Sequence, residues 1–267
     1  MKKHVQSMFL VMVLIFAGLV TLIQAAEPLR IMCLGDSITA GYTDNPKWDV
    51  PFEFGYRSGL YKRLTEDGYT FKFVGACPEP WNGAFGKPHN TPVLDLRKFD
   101  QDYHRGYGGW GTQGILDHIQ EWLAADKPDI VLLMAGINDG GSVAAQKNIE
   151  QIVNAIVTKI PATAVIVAQI TPMAKFSQTI VDYNVYIRDK LVPMFKSQGK
   201  YVSTVDQYAN LTAKESKELK DSINTKFYSN GINHPNAEAY ERMAQTWYDG
   251  IVRVRPRVES KSQKPVK

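Results

Sequence analysis

Short, mostly apolar segments alternate along this chain with longer segments of helical periodicity. The apolar segments are 29–34, Phe71–Val74, Ile130–Met134, 164–170 and 201–205. Strands that are mostly apolar, without strict alternation of apolar and polar residues, are typical of a parallel sheet covered on both faces. The helical patterns lie at 56–65, 115–125, 144–160, 180–196 and 237–252. This alternation predicts an α/β protein, a three-layer α/β/α sandwich with a five-stranded parallel sheet.

Length and composition predict one large globular domain. The chain has 267 residues, of which 44% are hydrophobic and 22% charged. That is enough apolar material for a single full core. We expect this domain at 27–252, followed by a basic, disordered tail at 253–267. The net charge of +4 is too small to predict a nucleic-acid partner, and the oligomeric state stays open.

Residues 1–26 have the pattern of a secretory signal peptide. Lys2 and Lys3 precede an uncharged apolar run at 8–23, and Ala25 and Ala26 supply the small residues of a cleavage site. We therefore expect a secreted, extracellular protein, with a retained N-terminal anchor as the alternative. Later segments are too short or too polar to span a bilayer, so we expect no stable membrane insertion after cleavage.

Two cysteines are present, Cys33 and Cys77. Secretion permits disulfides, and the two residues lie on or just past strands predicted to be neighbours. A bridge between them and a pair of buried thiols are both compatible with the sequence.

The first candidate site residue is Ser37, in the stretch Gly35-Asp36-Ser37-Ile38-Thr39 that follows the first apolar segment. Open α/β folds place their ligands at the carboxyl ends of the strands. A serine held there can act as a nucleophile and can offer its own N–H to a developing oxyanion. Gly-Asp-Ser also occurs in ordinary turns and helix caps, so this stretch alone does not decide.

Three further residues fall where a hydrolase would need them. Asn138 follows the apolar segment Ile130–Met134 and offers a side-chain amide to an oxyanion. Gly106 opens the glycine-rich stretch before the helix at 115–125 and allows close approach of a backbone N–H. His234 precedes the last helix and is a candidate general base. Each residue alone also fits a turn, a helix cap or an ordinary surface position.

A long segment without periodicity, 76–112, interrupts the alternation of strands and helices. It is rich in glycine and proline and contains Trp81 and Trp110. Loops of this length are often functional. Aromatic faces suit sugar rings and acyl groups, although they also serve as a loop's own core.

Together, Ser37, Gly106, Asn138 and His234 resemble the SGNH branch of the GDSL hydrolases in order, type and context. Within that branch the chain is most similar to the carbohydrate esterase family 3 acetyl xylan esterases. The matching stretches span 29 to 252, among them 35–39, 56–61, 104–110, 129–134 and 234–238. The resemblance implies the flavodoxin-like SGNH fold.

The resemblance also implies a function and a set of roles. It predicts a serine esterase that removes O-acetyl groups from a polysaccharide such as xylan through an acyl-enzyme on Ser37. His234 would be the base, and Gly106 and Asn138 would form the oxyanion hole. No metal or organic cofactor is implied.

One position departs from the family pattern. The family places an aspartate three residues before the histidine, and here that position is Gly231. His234 could be oriented by the Asn230 side chain or a backbone carbonyl, or by another carboxylate such as Asp206. Alternatively, the protein could be a catalytically weakened relative that binds carbohydrate. A lipase or lysophospholipase is a further alternative on the same site.

Overall fold

In a computed structural model the protein is described at residues 27–42, 55–76, 96–213, 218–228 and 232–262. The strands are β1 (Leu29–Asp36), β2 (Phe71–Val74), β3 (Arg105–Tyr107), β4 (Ile130–Met134), β5 (Ala164–Gln169) and β6 (Val202–Asp206). The α-helices are α1 (Ser37–Ala40), α2 (Tyr56–Glu66), α3 (Thr112–Asp126), α4 (Val143–Lys159), α5 (Gln178–Tyr186), α6 (Val192–Ser197), α7 (Leu219–Ser222) and α8 (Ala237–Ser262). Short 3₁₀ turns lie at Leu96–Phe99, Ala209–Leu211 and Thr225–Phe227.

The strands form one parallel sheet in the order β2-β1-β4-β5-β6. Its central strands are buried along their length: Cys33 pairs with Leu132, and both are fully buried. Helices flank the sheet, with α2 packed on α8 and α3 packed on α4. The predicted α/β sandwich is confirmed, because mostly apolar strands need cover on both faces.

Within the described residues the sheet has six strands, one more than the five that the sequence predicts. The additional strand, β3, pairs in parallel with the end of β1, so that Gly35 lies opposite Gly106. It is three residues long and lacks an apolar run, which is why periodicity does not reveal it. Its pairing carries the glycine-rich stretch to the carboxyl end of β1.

The last helix is longer than predicted. The sequence predicts its end near Val252 and a disordered tail beyond, but α8 continues to Ser262. Apolar residues at helical spacing indicate a helix with a buried face, and this spacing stops at 252. The arginine, glutamate and lysine residues beyond it favour a helix through their intrinsic propensity, even where no face is buried. Residues 263–267 lie outside the described residues.

Cys33 is a free, buried thiol, and burial raises its pKa to about 12. Of the two alternatives for the cysteines, the structure therefore has the buried thiol. Cys77 and the predicted signal peptide lie outside the described residues. Within the parts of the chain that are described, no helix combines the length and the apolar character needed to cross a bilayer.

Candidate active site

Ser37 is presented at the carboxyl end of β1 by a tight strand-to-helix turn. Asp36 caps the short helix α1: its Oδ1 accepts a hydrogen bond from the Ile38 N–H at 2.9 Å. Gly35 is required before it, because a Cβ there would collide with the Met134 carbonyl oxygen and with Thr39 Oγ1. The turn thus fixes the position of Ser37 through backbone packing and a helix cap.

His234 reaches Ser37 from the other end of the chain. Ser37 Oγ and His234 Nε2 lie 2.7 Å apart, and each residue is only 2% exposed. The segment around His234 is fixed by the Asn236 N–H, which donates to the Phe227 carbonyl at 2.8 Å. The Tyr42 ring lies beside the imidazole, with 6.0 Å between ring centroids. This pair has the geometry of a serine nucleophile and its general base.

Asn138 lies at the same edge of the sheet as Ser37. Gly35 pairs with Met134, so Ser37 and Asn138 follow the ends of two neighbouring strands. The Asn138 side chain is exposed, and its Nδ2 donates to the Trp110 carbonyl at 2.9 Å. An amide nitrogen carries two hydrogens, so one donor remains for a ligand.

The prediction that the Gly106 N–H serves an oxyanion is wrong. This N–H donates to His104 Nδ1 at 2.8 Å, and Gly106 is buried. Gly106 instead allows close packing, because a Cβ there would lie 2.6 Å from the Ala40 nitrogen. Its glycine character serves the contact between β3 and α1.

Gly109 is a candidate donor that the sequence reasoning missed. It is exposed, its φ of +75° favours glycine, and open space lies where a Cβ would be. Among the described residues, no acceptor lies within hydrogen-bond distance of the Gly109 N–H. The paired glycines Gly108-Gly109 directly before Trp110 were the signal in the sequence.

Two carboxyl groups shape the electrostatics of the site. The pKa of Asp36 is raised to about 7, chiefly by burial and to a smaller extent by the nearby Asp139, although the Ile38 N–H and His234 act in the opposite direction. Asp139 accepts a hydrogen bond from the Thr112 N–H, at the first residue of α3, at 2.8 Å. The negative charge of Asp139 therefore lies at a helix N-terminus, where it is stabilised.

The residue that orients His234 remains a prediction. Asn230 lies outside the described residues. Asp206 is exposed at the end of β6, and its Oδ1 accepts a hydrogen bond from the Ala209 N–H at 3.1 Å. Asp206 thus caps the turn Ala209–Leu211, and among the described contacts it does not touch His234.

A stacked aromatic cluster lies next to Asn138. Tyr107 stacks on Trp110, with ring centroids 4.4 Å apart, and on Trp122 at 5.1 Å. Arg105 lies over the Trp122 ring at 5.2 Å and forms a buried ion pair with Asp126, with Nε and Oδ2 2.7 Å apart. Tyr107 and Trp110 remain half-exposed. Trp81 lies outside the described residues.

A serine that is hydrogen-bonded to a histidine at the carboxyl edge of a parallel sheet has the arrangement found in serine hydrolases. The sequence profile of the GDSL-like lipase/acylhydrolase family matches residues 33–242. The chain therefore belongs to this family.

Solved structures of esterases share the fold. A family 3 carbohydrate esterase from Clostridium thermocellum superposes with a TM-score of 0.63 and 23% identity, covering 88% of this chain and 100% of the other. A family 3 carbohydrate esterase from Talaromyces cellulolyticus superposes with a TM-score of 0.64 and 20% identity, covering 87% of this chain and 99% of the other. An acetyl xylan esterase from Geobacillus stearothermophilus superposes with a TM-score of 0.55 and 15% identity, covering 84% of this chain and 94% of the other.

The chain is also similar in sequence to a multidomain esterase from Ruminococcus flavefaciens. The two are 30% identical over 251 residues, which is 85% of this chain. The chain spans 29% of the length of that relative. The similarity thus concerns one portion of a longer protein.

Proposed function

We propose that this chain is a secreted serine esterase that removes O-acetyl groups from a polysaccharide, with xylan the first substrate to test. The observation that carries this proposal is the 2.7 Å contact between Ser37 Oγ and His234 Nε2. The similarity to structures named as family 3 carbohydrate esterases and as an acetyl xylan esterase supports the choice of ester.

The chemistry would proceed through an acetyl-enzyme. Ser37 Oγ attacks the acetyl carbonyl carbon while His234 Nε2 takes the hydroxyl proton. The resulting oxyanion accepts hydrogen bonds from the second Asn138 amide hydrogen and from the Gly109 N–H. His234 then returns the proton to the departing sugar oxygen. Water, activated by His234, cleaves the acetyl-enzyme to acetate and restores Ser37. The proposal includes no cofactor.

The aromatic cluster supports a carbohydrate substrate. Trp110 connects it to the site, because its carbonyl accepts the Asn138 hydrogen bond and its half-exposed ring stacks on Tyr107. A sugar ring can pack its C–H face on such an aromatic surface. The ester-bearing sugar would therefore lie beside Asn138.

Two alternatives remain testable on the same site. A lipase-type esterase is favoured by Ile232, which is 53% exposed two residues before His234 and offers an apolar contact to a longer acyl chain. A relative that only binds carbohydrate is favoured by the absence of an aspartate at position 231. The first would prefer long-chain esters, and the second would bind xylan without releasing acetate.

The test is acetate release from acetylated xylan and from aryl esters of acetate and octanoate. We expect turnover on the acetyl substrates, and Ser37→Ala should lower kcat at least about 10³-fold by removing the nucleophile. Ser197→Ala is the matched control, because that exposed hydroxyl only donates to the Met194 carbonyl. Equal activity of wild type and Ser37→Ala would refute the mechanism, and preference for octanoate would favour the lipase.

A further inference from the structure

A cavity whose lining does not include Ser37 or His234 lies between two 3₁₀ turns and the last helix. Its volume is about 510 Å³, and its polar lining includes Asn210, Thr212, Asn224, Lys226 and Arg242. Backbone pairing holds its walls together: the Asn224 N–H donates to the Leu211 carbonyl at 3.0 Å, and Thr212 pairs with Ile223. The cavity is therefore built into the backbone and does not depend on side-chain positions alone.

The lining carries positive charge. Lys226 is exposed, and within the described parts of the chain its ammonium has no acidic partner. Arg242 lies over the Phe227 ring at 4.1 Å, which fixes the guanidinium. One of its nitrogens, Nη2, is bonded to Glu238 Oε1 at 3.0 Å, so its other N–H groups are open to a ligand. No aspartate or glutamate is among the lining residues described.

Two neutral polar side chains accompany the two cations. The Asn224 Oδ1 accepts a hydrogen bond from the Lys226 N–H at 3.2 Å, which orients the amide and leaves its NH₂ group as a donor. Thr212 Oγ1 donates to the Ala209 carbonyl and keeps its lone pairs for a hydroxyl. The site thus offers charged donors for an anion and neutral groups for hydroxyls.

We propose that this cavity binds the carboxylate of a sugar acid, with Arg242 and Lys226 holding the carboxylate and Asn224 and Thr212 the hydroxyl groups. A guanidinium matches a carboxylate in two parallel hydrogen bonds. The volume lies within the range of small-molecule sites and exceeds that of a bare inorganic anion.

The cavity is linked to the catalytic histidine through one short turn. The Lys226 carbonyl accepts a hydrogen bond from Asn236 Nδ2 at 2.7 Å, and the Phe227 carbonyl accepts one from the Asn236 N–H at 2.8 Å. Asn236 is two residues from His234. We extend the proposal to a uronate on the same polysaccharide as the acetyl ester, an extension that rests on the proposed function.

Binding is tested first, independently of activity, by calorimetry of the full chain with glucuronate. We expect saturable binding of glucuronate, little binding of glucose, and at least tenfold weaker binding by Arg242→Met and by Lys226→Met. Lys159→Met, an exposed lysine at the end of α4, is the matched control and should bind like wild type. Absence of glucuronate binding, equal binding of glucose, or unchanged binding by both cavity variants would overturn the proposal.

Inorganic phosphate separates a sugar-acid site from a general anion site. If phosphate binds as tightly as glucuronate, the sugar-acid assignment is wrong. Kinetics then test the extension: on acetylated glucuronoxylan the cavity variants should raise KM several-fold, with KM unchanged on acetylated neutral xylan. Without any acetate release, the proposed function fails while the calorimetry still decides the cavity.

Discussion

Asp36 places an ionisable carboxyl group where water hardly reaches it. The residue is 1% exposed, and burial raises its pKa to about 7. Its Oδ1 accepts a hydrogen bond from the Ile38 N–H and so caps α1. This bond favours the charged carboxylate but does not offset the loss of hydration. Asp36 therefore changes its charge near neutral pH, directly before the nucleophile.

This shift predicts a pH-dependent stability. The pKa of Asp36 is higher in the folded state than its ordinary value of 3.8, so between about pH 4 and 7 the folded state holds a proton that the unfolded state has lost. Its contribution to the free energy of unfolding is present below pH 4 and is lost as the pH rises through 7. In Asp36→Asn, which keeps an oxygen acceptor for Ile38, this loss should be absent.

Urea unfolding at pH 5 and pH 8 measures this effect. The difference in free energy of unfolding, Asp36→Asn minus wild type, should rise between the two pH values by at least about 1 kcal/mol. Asp249→Asn, an exposed carboxyl of α8 bonded to Gln245, is the control. A pH-independent difference for Asp36→Asn would mean that the carboxyl is not titrating in this range.

At the residue scale the sequence predicted the Ser37–His234 contact but not the contacts of Gly106. Ser37 and His234 were identified as a pair, and the structure brings them together. The oxyanion role predicted for Gly106 is wrong, because the sequence does not show that the Gly106 N–H donates a hydrogen bond to His104. Which group orients His234 could not be derived either, because a hydrogen bond between distant loops depends on their final positions.

The buried guanidinium of Arg57 donates hydrogen bonds to the end of α1, the short helix that begins with Ser37. Arg57 of α2 is fully buried, and its three nitrogens donate to the carbonyls of Thr39 at 3.2 Å, Ala40 at 3.2 Å and Asp102 at 3.0 Å. The last carbonyls of a helix lack partners within it, and α1 has only four residues. Arg57 thus binds α1 to α2 and to the segment that leads into β3.

Removal of this group should affect both stability and turnover. Arg57→Met leaves three buried carbonyls without these donors, so we expect the free energy of unfolding to fall by about 2 kcal/mol or more. With α1 less constrained, kcat should drop more than KM rises. Urea unfolding and steady-state kinetics give the two quantities.

Two further variants interpret the result. Lys62→Met is on the same helix, but its side chain is 67% exposed, so it should change stability by less than about 0.5 kcal/mol. Arg57→Lys keeps the charge and should recover part of kcat if the guanidinium positions Ser37. A loss of stability without any change in kcat would restrict Arg57 to a structural role.

Elements with a buried face were predictable, and those without one were not. Five strands and the main helices follow from apolar runs and helical spacing. β3 and the end of α8 have no such signal. The helical pattern at 180–196 contains a π-helical turn at Ile187–Leu191 that periodicity does not reveal. Pro193 follows this turn, and its missing N–H and bulky ring disfavour regular i→i−4 bonding there.

For the whole molecule, the parallel sheet separates a rigid centre from the edge that carries the site. Residues of β1, β4 and β5 such as Cys33, Leu132 and Val167 are at most 1% exposed. The loop between β3 and α3 is shallower: Gly109 is exposed and Tyr107 and Trp110 are half-exposed. Stability should therefore differ between these regions.

Native-state hydrogen exchange should resolve this difference. Amides of Cys33, Leu132 and Val167 should exchange only through global unfolding, with protection that falls with urea in parallel with the unfolding free energy. The Gly109 amide should exchange much faster and with little urea dependence. Slow exchange at Gly109 comparable with Cys33 would show that the loop is part of the rigid centre.

Ser37 and His234 are 197 residues apart in the chain, and this separation affects when the protein becomes active. A nascent chain that has emerged through β6 can form most of the sheet and already carries the nucleophile, but it has no base. The Ser37–His234 pair forms only when the turn before α8 packs against the end of β1. An incomplete chain that ends before His234 would therefore be partly folded but would lack the Ser37–His234 pair.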